Sequence, residues 1–176
     1  MKLTKVLFSA LCCISLLSCN NDYSTQLSAI NELSTNYIAL EEKVLNVDLK
    51  QSNEHLKKYE DTIEEFKLLL NKDKKPSKEV KSFINQFRSV KKTFKKVPKK
   101  VSYLKSNIKK NIAQLENLEN DVNKNVFNQE ELGKIINDEL EAFKALDKEY
   151  ISLTLEIKNQ IEKFDSLLIL TNNINF

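Results

Sequence analysis

The sequence predicts an all-α fold: an elongated antiparallel bundle of three long helices with coiled-coil-like apolar seams. Its 176 residues contain a single glycine, Gly133, and two prolines, Pro76 and Pro98, so helix breakers are scarce. Apolar residues recur at alternating spacings of three and four, the period of one helical face. No hairpin dipeptide is flanked by alternating apolar and polar residues, so nothing invites strands.

The first helix is expected from about residue 24 to 71. Leu27, Ile30, Leu33, Tyr37, Leu40 and Val44 mark its face, and Leu49, Leu56, Tyr59, Ile63, Phe66 and Leu70 resume it after a slip near Asn46-Val47-Asp48. The helix either continues there with a stutter or breaks. The stretch KDKKPS, residues 72 to 77, ends it, with Pro76 as the stop and Ser77 as the next N-cap.

In the second segment Val80, Phe83, Phe87, Val90, Phe94, Val97, Val101, Leu104 and Ile108 hold their phase straight across Pro98. A loop would have no reason to preserve it. The segment therefore reads as one helix over about 78 to 123, kinked at Pro98, where the proline costs roughly 3 kcal/mol that packing must offset.

Asn128, followed by QEEL, caps the third helix and places acids at its positive end. Its face runs from Leu132 through Ile136, Leu140 and Phe143 to Phe164 and Leu168. Short connections make the three helices antiparallel neighbours in a bundle about 65 to 70 Å long, with Val47 opposite Val101. The competing architecture breaks the first two segments at that height and gives a shorter four- or five-helix bundle.

All three cysteines, Cys12, Cys13 and Cys19, fall at the N-terminus. Lys2 and Lys5 precede an apolar run from Val6 to Leu17 that is too short to span a bilayer and is followed by Asn20, Asn21 and Asp22. Leu16-Leu17-Ser18-Cys19 resembles the lipobox of bacterial lipoproteins. The resemblance implies a signal peptide over 1–18, cleavage after Ser18, a diacylglyceryl thioether on Cys19 and, usually, N-acylation there. Residues 19–24 are then a lipidated tether and 25–176 the helical domain. The alternative is an ordinary secretory signal that contains cysteine. By analogy with enteric sorting rules, Asn20 after the modified cysteine, in place of aspartate, points to the outer membrane of a bacterial envelope.

Charge is unevenly placed. Residues 72–110 hold 15 Lys or Arg against Asp73 and Glu79, whereas the remainder from Cys19 onward carries 11 basic and 23 acidic residues. In the antiparallel register Glu60, Asp61, Glu64 and Glu65 face Lys78 to Arg88, and Glu41 and Glu42 face Lys105 to Lys110. Two adjacent rows, Lys91-Lys95-Lys99 and Lys92-Lys96-Lys100, place like charges at i,i+4, which disfavours a helix unless an anionic partner or solvent covers them. Headgroup phosphates or an acidic envelope polymer suit such a surface. Nucleic acid does not suit an exported chain, and arginine, which grips phosphate in two-pronged fashion, is absent from these rows.

Catalytic material is sparse. His55 is the only histidine and reads as an exposed helix position. No Gly-x-Ser-x-Gly elbow and no paired Glu-x-x-His motif occurs, and the doublets Glu41-Glu42, Glu64-Glu65 and Glu130-Glu131 diverge around their helices. No cofactor or metal is implied. Two classes remain: a non-enzymatic interaction or spacer module held at the membrane through Cys19, touching an envelope protein or polymer, and a carrier of an apolar or anionic ligand. The consecutive Leu167, Leu168, Ile169 and Leu170 point all round the last helix, so some of them need a cover beyond the seam, either the C-terminal tail or a partner at the distal end. The sequence leaves the oligomeric state open.

Overall fold

The computed structural model describes residues 22–70 and 78–171. The lipobox with Cys19, the connection carrying Pro76 and Ser77, and residues 172–176 with Phe176 lie outside the described residues. Five helices are present: α1 (Ser24–Leu45), α2 (Leu49–Leu70), α3 (Lys78–Phe94), α4 (Val97–Asn123) and α5 (Gln129–Thr171). They form three long rods packed antiparallel, α1 with α2, α3 with α4, and α5 alone; among the described residues there is no strand.

The slip in the first rod is a capped joint. Asn46 and Val47 close α1 by donating their N–H groups to the Glu42 and Val44 carbonyls, 3.1 and 3.3 Å away. Asp48 then caps α2, its Oδ1 accepting the Gln51 N–H at 2.8 Å. Ser52, almost fully buried, stays satisfied because its hydroxyl donates to the Asp48 carbonyl at 3.3 Å.

In the second rod the single helix kinked at Pro98 is not found: a two-residue break at Lys95–Lys96 separates α3 from α4. A proline in mid-helix cannot donate to the carbonyl four residues back and its ring presses on that group. Ending α3 at Phe94 and starting α4 at Val97 moves Pro98 into a first turn, where its missing N–H is no loss. A tight turn bridges the gap, with the Lys96 N–H donating to Thr93 O at 2.8 Å. The apolar phase survives because Phe94, Val97 and Val101 are all buried on the same side.

Between α4 and α5, Asn125 takes a left-handed conformation, φ 56°. Its N–H donates to Val122 O at 2.9 Å and that of Val126 to Asp121 O at 3.1 Å, the paired bonds of a Schellman closure with asparagine in the usual glycine place. Asn128 and Glu131 then form a reciprocal capping box at the head of α5, with bonds of 2.9 and 3.4 Å.

Cross-rod contacts fix the register. Asn111 meets Tyr37 and Lys91 meets Glu60, pairs symmetric about the connection between α2 and α3. Lys100 meets Glu156 and Gln114 meets Glu139 across the second and third rods. The first and third rods run parallel, so Tyr37 packs edge-on against Phe143 at 5.1 Å between centroids.

The core has two storeys. The lower joins α1, α4 and the first two-thirds of α5 and is aliphatic around Tyr37, from Ile30 and Leu33 to Leu115, Leu132 and Leu153. The upper joins α2, α3 and the end of α5 around Tyr59, Phe83, Phe87, Phe94 and Phe164. Ring pairs at 4.8 to 5.9 Å knit it together, so aromatic edges and faces supply much of its order. Only α5 passes uninterrupted through both.

Candidate functional site

The joint at Lys95–Lys96 carries the lysine rows, and the structure divides them. Lys91 turns inward across the α2–α3 contact, its Nζ 2.9 Å from Glu60 Oε1 and 5.1 Å from the centre of the Tyr59 ring. That bond, with Lys95 adding its charge, holds the Glu60 carboxyl below the usual carboxylate range. Lys100 reaches the other way and donates to Glu156 of α5 at 2.5 Å. Lys92, Lys96 and Lys99 have no carboxylate within ion-pair distance among the described residues. Glu41 and Glu42 likewise make no ion pair there with Lys105 to Lys110, so that part of the expected charge complementarity is long-range at best.

Beside the joint, α4 and α5 part to leave a groove of about 540 Å³. Leu104 and Leu153 form its apolar base. Lys96, Lys99 and Lys100 stand along the α4 wall with Tyr103, and Glu149 and Ser152 along the α5 wall. Tyr103 is 53% exposed. This groove has no counterpart in the sequence pattern, because its two walls come from helices distant in sequence.

The distal apolar residues also divide. Leu167 is buried in the upper storey and Leu168 packs against it, while Ile169 and Leu170 are exposed at 64% and 52%. The helical geometry expected for four consecutive apolar residues is thus observed; the tail expected over them, residues 172–176, lies outside the described residues.

His55 departs from its reading as an exposed position. Its ring stacks on Phe94 at 5.7 Å and meets Phe164 edge-on at 5.6 Å, closing the upper aromatic cluster toward the joint. Nδ1 donates to the Gln51 carbonyl at 2.9 Å, which fixes the proton on that nitrogen because a carbonyl can only accept.

A polar network in the lower storey escaped the sequence reading. Glu139 is 6% exposed, and its carboxylate accepts a hydrogen bond from Gln114 Nε2. Burial raises its pKa above the ordinary glutamate value; the Gln114 bond opposes this and the Asp138 charge adds to it. Next to it the Tyr37 hydroxyl accepts from Asn111 Nδ2 at 2.8 Å, and burial raises the phenol pKa, against the Asn111 bond and with help from the Glu139 charge. Glu139 lies three residues after Ile136 and four before Phe143, so it interrupts the apolar face itself. That position is legible in the sequence.

Among the described residues no cluster of histidine, cysteine or acidic side chains can hold a metal ion, and no helix is long and apolar enough to cross a membrane. No family model, no curated protein and no solved structure matches this chain.

At the lower end, the Tyr23 hydroxyl donates to the carbonyl of Phe127 and Gln129 Nε2 to that of Asp22 at 3.5 Å. Asp22 itself accepts the Ser24 N–H at 3.0 Å, which lowers its pKa. The first described residues are therefore bound to the α4–α5 turn.

Proposed function

We propose that this chain is a lipid-anchored, non-enzymatic helical lipoprotein of a bacterial envelope, most naturally its outer membrane, serving as an interaction or spacer module. The observation that carries the reading is the latch of Asp22 and Tyr23 onto the α4–α5 turn, three residues after the lipobox cysteine. Acyl chains on Cys19 would hold that end at the membrane, and the rods would rise from it. The single helix α5, 43 residues at 1.5 Å each, would carry its last turn about 65 Å away. Two or three acyl chains suffice for stable anchoring without a spanning helix.

The test is photo-crosslinking in cells from a probe placed at Val126 or at Ile169, after fatty-acid labelling of the wild type and Cys19→Ser. The reading requires label on Cys19, lipid adducts from Val126 and none from Ile169. Label that persists in Cys19→Ser, or lipid adducts from both ends, would reject it.

A further inference from the structure

We propose that the outer face of the second rod, with the groove beside its joint, is a binding surface for a linear acidic polysaccharide. The inference takes the partner's location from the envelope reading above, but its chemistry stands on the surface itself.

From residue 80 to 115 the chain contains no acidic residue. Lys81, Arg88, Lys92, Lys96, Lys99 and Lys110 are exposed, and their spacings of seven, four, four, three and eleven are all near-multiples of the helical repeat. They form one stripe opposite the buried face of Phe87, Phe94 and Val101, roughly 40 Å long. None of the six has a carboxylate partner among the described residues. Along α5, by contrast, Lys134 pairs with Glu130, Lys144 with Glu141 and Lys158 with Glu162, so acids and bases alternate there as they do not on the stripe. On the stripe like charges follow one another along the axis, which mildly disfavours the helix and which an extended anion lying over it would relieve.

The groove narrows the class of polyanion. Midway along the stripe it offers an exposed aromatic residue, Tyr103, in the same groove as the carboxylate of Glu149 and the hydroxyl of Ser152. A pyranose ring presents C–H groups to an aromatic face and hydroxyls that donate to a carboxylate, while its acid groups meet Lys96 and Lys99. A phosphodiester strand has few free hydroxyls to turn toward Glu149, whereas a sugar ring has several. A straight stripe of lysines suits an extended chain that carries its charges at intervals.

The experiment uses the full chain in detergent micelles, with polygalacturonate as probe, neutral dextran as control and a thymidine oligonucleotide as the competing polyanion. Polygalacturonate should bind and dextran should not, with log affinity falling linearly against log salt. Lys92→Glu and Lys99→Glu should each weaken binding at low salt by roughly fivefold or more, about the effect of one lysine near an anionic surface. Lys148→Glu, the same charge change on the outer face of α5, should leave it unchanged. Tyr103→Ala should weaken binding with the salt slope preserved. Absence of binding at low salt, equal loss in Lys148→Glu, indifference to Tyr103→Ala, or tighter binding of the oligonucleotide would each overturn the proposal. Cys19→Ser separates the two readings: it should lose the membrane and keep the polymer, so failure of anchoring leaves this site standing.

Discussion

Tyr23 and Phe127 lie 104 residues apart in sequence, and a single hydrogen bond from the tyrosine hydroxyl to the phenylalanine carbonyl joins the start of the first rod to the turn between the other two. Tyr23 is itself buried at 6% exposure and belongs to the lower cluster, so its bond, half-buried, closes that storey from beneath.

Tyr23→Phe should keep the ring and remove only this bond. A loss of about 1 kcal/mol is expected, with faster amide exchange at Leu27 and around Asn125 and no change near Phe87. Calorimetry and hydrogen exchange measure both.

Asn125 offers a gain. Its left-handed backbone suits glycine better than any side chain, so Asn125→Gly should stabilise by up to about 1 kcal/mol, and Asn125→Val should destabilise by more than that. Thermal melts of the two variants should move in opposite directions.

Pro98→Ala should change stability by no more than about 1 kcal/mol, since a first-turn residue needs no N–H. A gain of several kcal/mol would mean that the unbroken helix across Lys95–Lys96 is the preferred state once the proline is gone.

Phe164 is fully buried between His55 and Phe87, and Phe164→Ala should cost about 3 to 5 kcal/mol. His55→Ala, which removes one stacked partner at the edge, should cost about 1 kcal/mol. Both should raise exchange in α2 and α3 well before α1.

Glu139 predicts a pH dependence with a definite sign. Burial raises its folded-state pKa, so the folded protein holds this proton more tightly than the unfolded chain does. Its contribution to stability is therefore largest below the ordinary glutamate pKa, declines as pH rises through the elevated value and is flat above it. Denaturation midpoints across that range should fall for the wild type and fall less for Glu139→Gln, which keeps the shape without the charge. Equal slopes would show that Glu139 is not the group responsible.

What was legible in the sequence follows from which forces are local. The Asn128 cap was read correctly because its partner, Glu131, is three residues away, and the Asp48-x-x-Gln51 cap carried the same local signal under the slip that surrounded it. At Lys95–Lys96 the pattern leaves kink and break open, because the buried faces of Phe94, Val97 and Val101 keep one phase in either case. His55 sits among polar neighbours in sequence, and its aromatic partners come from α3 and α5. The lysine rows were visible, but their division was not. Lys91 and Lys100 flank the buried face and meet Glu60 and Glu156, whereas Lys92 and Lys99 stand on the outer face; which carboxylate each inner lysine meets depends on the packing of the rods.

The two joints also have a mechanical meaning. Val47 and Leu49 pack against the same lower cluster as Val97 and Val101, so the interruptions of the first two rods lie near one level. At that level continuous backbone hydrogen bonding runs through α5 alone. A sideways load on the upper storey would bend the molecule there, with α5 as the flexing leaf and the other rods hinging on two or three residues each. A pull along the axis from the base would instead reach the upper storey by two routes of unequal stiffness, and the ring contacts around Phe164 would carry the difference.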